Sequence, residues 1–207
     1  MTQFEPLKPD ISLEELTAKA KGGHTLAQYA LAKVEAARGE NRKAAEWLGK
    51  AAEGQFAPVV YELGMWHLLG HHVDFDVKRA RALITAAADK KFSDALRLRA
   101  VLEATGVFPG GTWETAVDHL LVAADMADPH SLRQIGFLLR TQGGEAKLSE
   151  KMLKSAASLN EPISRKLVGE QKGVIAEKEI PENWDAWPGV REFLLTLGGE
   201  AVREGET

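Results

Sequence analysis

One spacing constrains this chain more than any other. A small residue is followed four positions later by a large aliphatic one, and seven and eight positions later by two alanines. The pattern occurs as Ala44, Leu48, Ala51, Ala52, and again as Ala80, Ile84, Ala87, Ala88. It returns as Ala116, Leu120, Ala123, Ala124 and as Ser149, Leu153, Ala156, Ala157, so successive copies are 36, 36 and 33 residues apart. Positions i, i+4, i+7 and i+8 share one face of an α-helix. Two alanines on that face let a neighbouring helix backbone approach closely, and the large residue fills the space beside them.

A second set of anchors precedes each copy: Leu31-Ala32, Leu63-Gly64, Leu98-Arg99 and Ile135-Gly136. Each is followed by a glycine that can end a helix, Gly39, Gly70, Gly106 and Gly143, since glycine accepts the left-handed conformation common at helix C-termini. Asn41, Asp76 and Thr112 stand where the N-caps of the second helices belong. The spacing therefore predicts helix pairs at 24–38 and 41–53, 57–69 and 76–90, 93–105 and 112–127, and 130–141 and 145–158. A two-helix unit repeated every 20 to 50 residues is the signature of an α-solenoid, because one hairpin cannot bury its own apolar face. The expected units are about 24–55, 56–91, 92–128 and 129–160. Before them, residues 1–23 form a Pro-broken segment and a capping helix. That helix starts at Ser12, whose spacing to Glu15 suits a capping box, and ends near Lys21 at Gly22-Gly23. After them, 161–207 holds a partial fifth first helix, Pro162 to Gln171, and a C-terminal segment.

AQYALA at 27–32, AAEWLGKAAEG at 44–54 and VVYELGMWHLLG at 59–70 resemble SEL-1-like repeats, a branch of the tetratricopeptide-like superfamily. The loop Gly70-His71-His72-Val73-Asp74-Phe75-Asp76 keeps that family's G-x-G-V-x-x-D pattern, with His for the second glycine. The resemblance covers roughly residues 24 to 160. Arg99 stands in place of the usual small residue in the third copy, and the fourth loop, Gln142-Gly143-Gly144, is shortened. The resemblance implies a right-handed α-α superhelix and an adaptor or scaffold role in assembling complexes.

The chain has no cysteine, which excludes disulfides and Cys-ligated zinc and fits a reducing compartment. No charged-then-apolar leader opens it and no apolar run reaches membrane-spanning length, so a cytoplasmic location with no membrane partner is expected. A pI near 5.9 and the absence of a basic cluster argue against nucleic acid. From Lys172 onward four Lys and Arg face eight Asp and Glu, so the tail carries the whole net charge of −4. Within it Val190, Phe193, Leu194 and Leu197 recur at helical spacing, with Trp184 and Trp187 upstream. The segment suits a capping helix over the last repeat, or an amphipathic peptide docking on a partner or on another copy of the chain.

Candidate chemistry is thin. His72-Val73-Asp74 has the spacing of an oxygenase iron site, but that site needs a strand scaffold and a distant second histidine, whereas this tripeptide lies in the repeat's own loop. His67 and His71 are four apart, a spacing that presents two ligands from one helix, yet Gly70 should end the helix between them. Gly110-Gly111 before Thr112 could cradle a phosphate at a helix N-terminus, but no lysine follows and a turn explains the glycines. No nucleophile motif and no singled-out carboxylate pair is present. The expectation is a protein without catalytic residues, cofactor or metal.

A binding face is the remaining candidate. With first helices numbered from Ala27, Val59, Asp94 and Ser131, positions three and seven lie opposite the anchors at roughly 100° per residue. They hold Tyr29 and Lys33, Tyr61 and Met65, Leu96 and Ala100, and Arg133 and Phe137, with Arg97 and Arg140 nearby. First helices line the concave side of stacked hairpins. The candidate partner-binding residues are therefore Tyr29, Lys33, Tyr61, Met65, Arg97, Arg133, Phe137 and Arg140, facing a protein or peptide, with the arginines suiting an acidic one. Two other readings share this sequence: an accessory repeat region of an enzyme system, such as an oxygenase-type fusion or complex, and a structural protein that self-associates through residues 180–207.

Overall fold

The computed structural model describes residues 5–141 and 146–168. The fourth loop with Gly143, the fifth first helix beyond Val168, and the acidic tail with Trp184 and Trp187 lie outside the described residues. Among the described residues there are ten α-helices and no strand: α1 (Leu13–Lys21), α2 (Thr25–Ala37), α3 (Asn41–Glu53), α4 (Ala57–Leu69), α5 (Val77–Asp89), α6 (Ser93–Ala104), α7 (Trp113–Asp125), α8 (Pro129–Thr141), α9 (Ala146–Ser158) and α10 (Pro162–Leu167). The chain divides into two compact units, Met1–Ala95 and Leu96–Thr207. The division falls inside α6, within the third repeat.

The repeated small residues are buried because helices cross on them. Ala44, Leu48, Ala51, Ala80, Ile84, Ala87, Ala123, Ala124 and Ala156 are all 0% exposed. The crossing explains Gly64 and Gly136. A Cβ at Gly64 would stand 2.9 Å from Ile84 Cγ1, and one at Gly136 2.9 Å from Leu153 Cγ and Cδ2. In both repeats the large residue of the second helix is what presses on the first-helix glycine.

Helix ends follow the local chemistry, with one correction. Asp76 accepts from the Arg79 amide at 2.9 Å, and Thr112 forms a reciprocal capping box with Thr115. Asn41 is not a cap. It is the first residue of α3, Glu40 precedes it without a capping bond, and the Asn41 amide oxygen instead meets His72 Nδ1 at 2.7 Å. At the N-terminus, Ser12 Oγ accepts from the Glu15 amide at 3.1 Å and starts α1.

Each joint between hairpins uses one residue in the left-handed region. Gln55, Lys91, Ala127 and Asn160 have φ of 57°, 58°, 58° and 64°, and Gly23 takes the same place after α1 at 86°. The amide that follows reaches back to close the turn: Phe92 to the Ala87 carbonyl at 3.2 Å, Asp128 to Ala123 at 3.2 Å, Glu161 to Ala156 at 3.1 Å. This is a Schellman-type ending, and it leaves the next residue positioned to start the following first helix. A non-glycine residue there costs about 1–2 kcal/mol, which the packing of each joint offsets.

The third copy is out of register with the sequence reading. In α6, Ala95, Leu96 and Ala100 are buried, at 0%, 4% and 5% exposure, while Leu98 is only partly buried. The anchor is therefore Arg99-Ala100 and not Leu98-Arg99. With that shift the first-helix starts Val59, Ala95 and Ser131 are evenly spaced, and Ala100 supplies the small residue that Arg99 seemed to replace. Leu96 and Ala100 belong to the core, and positions three and seven of this repeat are Arg97 and Val101.

Candidate functional site

Position three of the first helices fixes the joint to the next hairpin, and it does so in two ways. In the N-terminal unit it is aromatic. The Tyr61 ring lies edge-on to Phe92, the residue before α6, with centroids 5.3 Å apart. Tyr29 is its equivalent in α2 and Phe56, the N-cap of α4, is the equivalent of Phe92. In the second unit the same positions are ionic. Arg97 reaches Asp128 with bonds of 3.1 and 3.0 Å, and Asp128 accepts from the Ser131 amide at 2.7 Å to cap α8. Arg133 pairs with Glu161 at 3.4 Å, and Glu161 caps α10 through the Ser164 amide. Both carboxylates are buried, with side chains 7% and 2% exposed. Burial alone would raise the Glu161 pKa, but the Ser164 amide and the Arg133 guanidinium outweigh it and hold the carboxyl below its ordinary value.

Position seven decides whether the space between successive first helices is closed. Between α2, α3 and α4 it is clasped. Lys33 Nζ donates to Glu62 Oε1 at 2.8 Å, and the buried Trp66 indole donates to the same oxygen at 3.2 Å. His72 packs on Trp66 with centroids 4.6 Å apart and is itself held by Asn41. The bond to Glu62 keeps the Lys33 ammonium above its ordinary pKa, and burial followed by the Glu62 charge pushes the Tyr29 phenol up.

In the second unit the register puts Val101, Gln134, Leu138 and Trp113 where Lys33, Glu62, Trp66 and Asn41 stand in the first. No clasp can form from those side chains. The result is an open groove of about 320 Å³ between α6, α7 and α8, lined by Val101, Ala104, Trp113, Leu120, Phe137 and Leu138 among others. Val101 is 42% exposed at its rim. Gln134 is the polar side chain of this lining, and its amide oxygen is buried without a hydrogen-bond partner. One repeat further on, between α8, α9 and α10, the equivalent cavity of about 360 Å³ is lined by Arg140, Ser149, Glu150, Leu153 and Leu167.

Among solved structures similar to this chain is a protective antigen present in uropathogenic Escherichia coli strains, described as displaying an SLR fold. It matches with a TM-score of 0.68 and 23% identity over 77% of this chain and 36% of its own. A Sel1 repeat protein from Oxalobacter formigenes matches with a TM-score of 0.64 and 22% identity, over 75% of this chain and 47% of its own. The fold is that of SEL-1-like repeats. No family model and no curated protein matches the sequence. The chain spans about a third to a half of the length of these two SEL-1-like repeat structures.

Against this SEL-1-like repeat frame the sequence candidates separate. Phe137 lines the groove, and Arg140 stands at the edge of the next cavity. Met65 is partly buried at the same register position as Phe137, and Tyr29 lies under Lys33, whose Nζ is 5.9 Å from the ring centroid. Arg97 and Arg133 are matched by buried carboxylates of the protein itself, so they give no support to an acidic partner. Sequence reasoning missed Val101, Trp113, Gln134 and Leu138. Starting the third first helix at Ala95 would have found Val101.

The histidines are engaged in the repeat loop. His67 is buried with Nδ1 3.3 Å from the Asp74 carbonyl, and the Asp76 amide donates to the His67 carbonyl at 2.9 Å. His71 and His72 rings are 6.4 Å apart. Among the described residues no group of three His, Cys, Asp or Glu lies close enough to hold a metal ion. A polar cluster centres on Glu103, 8% exposed in its side chain, which receives Arg99 at 2.7 Å, Thr115 at 3.2 Å and His119 at 3.0 Å. It ties α6 to α7, and the Cβ and Cγ of Glu103 fill the space beside Gly111. Gly110-Gly111 thereby serve the packing of this turn.

Proposed function

We propose that this chain is a non-catalytic scaffold that binds a protein or peptide through its first-helix face, with the groove between α6, α7 and α8 as the anchor point. The observation that carries the reading is the groove itself. It is an apolar, side-chain-sized recess at a place where the equivalent position in the N-terminal unit is clasped shut. Apolar pockets with one or two placed polar groups are the usual form of a binding anchor, and the SEL-1-like repeat fold suits protein partners. The groove offers shape and apolar area without a charge of its own, so the partner contributes a large apolar side chain there. No helix among the described residues is long and apolar enough to cross a membrane, and the absence of cysteine supports a reducing, cytoplasmic setting.

The test transplants the clasp. Val101→Lys, Gln134→Glu and Leu138→Trp together copy Lys33, Glu62 and Trp66 into the second unit. With a partner recovered by native pull-down, titration calorimetry should show a loss of about 2 kcal/mol or more in binding, as for a buried anchor, with the circular dichroism melt retained. Unchanged affinity would move the site off this groove.

A further inference from the structure

We infer that the loop end of the α4–α5 hairpin is a docking surface for an acidic protein segment that carries an aromatic or large aliphatic side chain. Its cationic half is an imbalance that the preceding repeat lacks. In α3, Arg42 pairs with Glu46 at 3.3 Å and Lys43 with Glu40 at 3.4 Å. The same places in α5, 36 residues on, hold Lys78 and Arg79, but Ala82 stands in the place of Glu46 and Arg81 in that of Ala45. Asp76, in the place of Glu40, accepts from the Arg79 amide at 2.9 Å as the N-cap. Lys78, Arg79 and Arg81 are all exposed, and among the described residues no carboxylate pairs with any of them. This arrangement works against the helix. Cations near a helix N-terminus oppose the macrodipole, and Lys78 and Arg81 are like charges three positions apart. The opposite order is seen in α1, with Glu14 and Glu15 in its first turn and Lys19 and Lys21 in its last, whereas α5 has no acidic residue in its first turn. A cost that nothing among the described residues offsets fits charges kept for a partner.

The apolar half is displayed by the loop. Residues 70–76 join α4 to α5 in seven residues, against three between α2 and α3. Phe75 is 67% exposed in that loop, and Leu69, the last residue of α4, is 53% exposed. A Cβ at Gly70 would lie 3.4 Å from the Phe75 Cβ, so Phe75 sits beside the end of α4. The residues on either side of it are pinned. The Asp74 carbonyl lies 3.3 Å from His67 Nδ1, and the Asp76 amide donates to the His67 carbonyl at 2.9 Å. A fixed backbone thus holds an exposed ring at the head of the helix that carries the three cations. Such a ring has little ordering cost left to meet on binding, and guanidinium forks match carboxylates bidentately. Asp74 and Asp76 in the same loop disfavour a nucleic-acid backbone or an anionic membrane surface, whose continuous charge would meet them together with the cations. A peptide can place its carboxylates singly. The surface lies within the first unit, so it stands whether or not the groove between α6, α7 and α8 binds.

The probe is a phage-displayed library of random dodecapeptides, selected on the full-length protein. Peptides enriched over the bare support should combine several Asp or Glu with Phe, Trp or Leu. Their affinity, read by fluorescence anisotropy of the labelled synthetic peptides, should fall about tenfold or more when Lys78→Glu, Arg79→Glu and Arg81→Glu are combined. It should fall several-fold in Phe75→Ser, and several-fold as salt is raised. The triple variant should melt no lower than the wild-type protein, because acids suit a helix N-terminus. Lys78→Gln with Arg81→Gln, which removes charge without reversing it, should give an intermediate loss of affinity. No enrichment, enrichment without an acidic bias, or equal affinity for the triple variant would overturn the inference. So would tighter binding to vesicles of equal parts phosphatidylserine and phosphatidylcholine, or to a short DNA duplex, than to any enriched peptide. Peptides lost in the Val101→Lys, Gln134→Glu, Leu138→Trp variant and kept in the triple charge variant belong to the groove, which supports the scaffold reading and removes this one. The reverse pattern supports the loop-end surface and counts against the groove.

Discussion

The two units build the same place on the first-helix face from the same backbone and reach opposite results. Between α2 and α4, a lysine, a glutamate and a tryptophan lock across the gap. Between α6 and α8, valine, glutamine and leucine leave an apolar groove. The difference does not come from the repeat framework, because the crossing residues are buried in both units. It comes from the positions that the framework leaves free. The joints tell the same story: an edge-on aromatic contact holds one in the first unit, and buried ion pairs with capping carboxylates hold two in the second. Repeat proteins specialise at such positions because a change there alters one gap and spares the crossings.

The largest effect should come from breaking an ionic joint. Arg133→Ala leaves Glu161 buried without its cation, and should destabilise the protein by roughly 3 kcal/mol or more in urea melts. Pairing Arg133→Tyr with Glu161→Phe, to copy the aromatic joint of the first unit, should recover most of that loss. If the double variant is no more stable than Arg133→Ala, the two joint types are not interchangeable solutions to one problem.

Next in size is the clasp. Trp66→Leu removes a buried ring and the donor to Glu62, and should cost about 2–3 kcal/mol. Leu138→Trp in the second unit should cost less than 1 kcal/mol or stabilise, because the ring enters an existing groove. Equal destabilisation by the two changes would mean that the groove is not the vacant counterpart of the Trp66 site.

A smaller effect should separate the joints by pH. The Glu161 carboxyl is held below its ordinary value in the folded protein, so its contribution is fully present above the unfolded value of about 4.3. It is lost as pH falls through the depressed folded value. Melts between pH 7 and 3 should show the wild-type protein losing more stability than the Arg133→Tyr, Glu161→Phe variant, with the difference confined to the acid side of that window. Parallel curves would show that the joint carboxylate does not contribute.

The smallest effect concerns a backbone position. Ala127 holds φ at 58°, and Ala127→Gly should relieve left-handed strain while adding unfolded-state entropy, for a net gain under about 1 kcal/mol. The same change at Ala36, within α2 and away from any joint, should destabilise by a similar amount. Matching signs for the two would place the strain argument in error.

Helix positions were legible in the sequence because what sets them is local. The small-residue spacing, the glycine stops and the caps at Ser12, Asp76 and Thr112 act within one or two turns, and α1 to α9 lie within a residue or two of the expected helices, whereas α10 ends at Leu167, short of the expected Gln171. The third anchor was misread because LRLRA in α6 offers two overlapping stripes, Leu98-Arg99 and Arg99-Ala100, and only burial against neighbouring helices selects the second. Asn41 has the chemistry of a cap, but a histidine 31 residues away claims its side chain. Of the residues expected on the binding face, Phe137 lines the groove, while the groove's other lining was not legible in the sequence. Arg97 and Arg133 look like free charges in the sequence, since the carboxylates that neutralise them come from the next hairpin. Sequence alone determined the repeat and the ends of its helices, where the deciding groups are neighbours along the chain. Only the tertiary structure decided which gaps are clasped and which stay open, because a clasp or an ion pair needs side chains from different helices to meet.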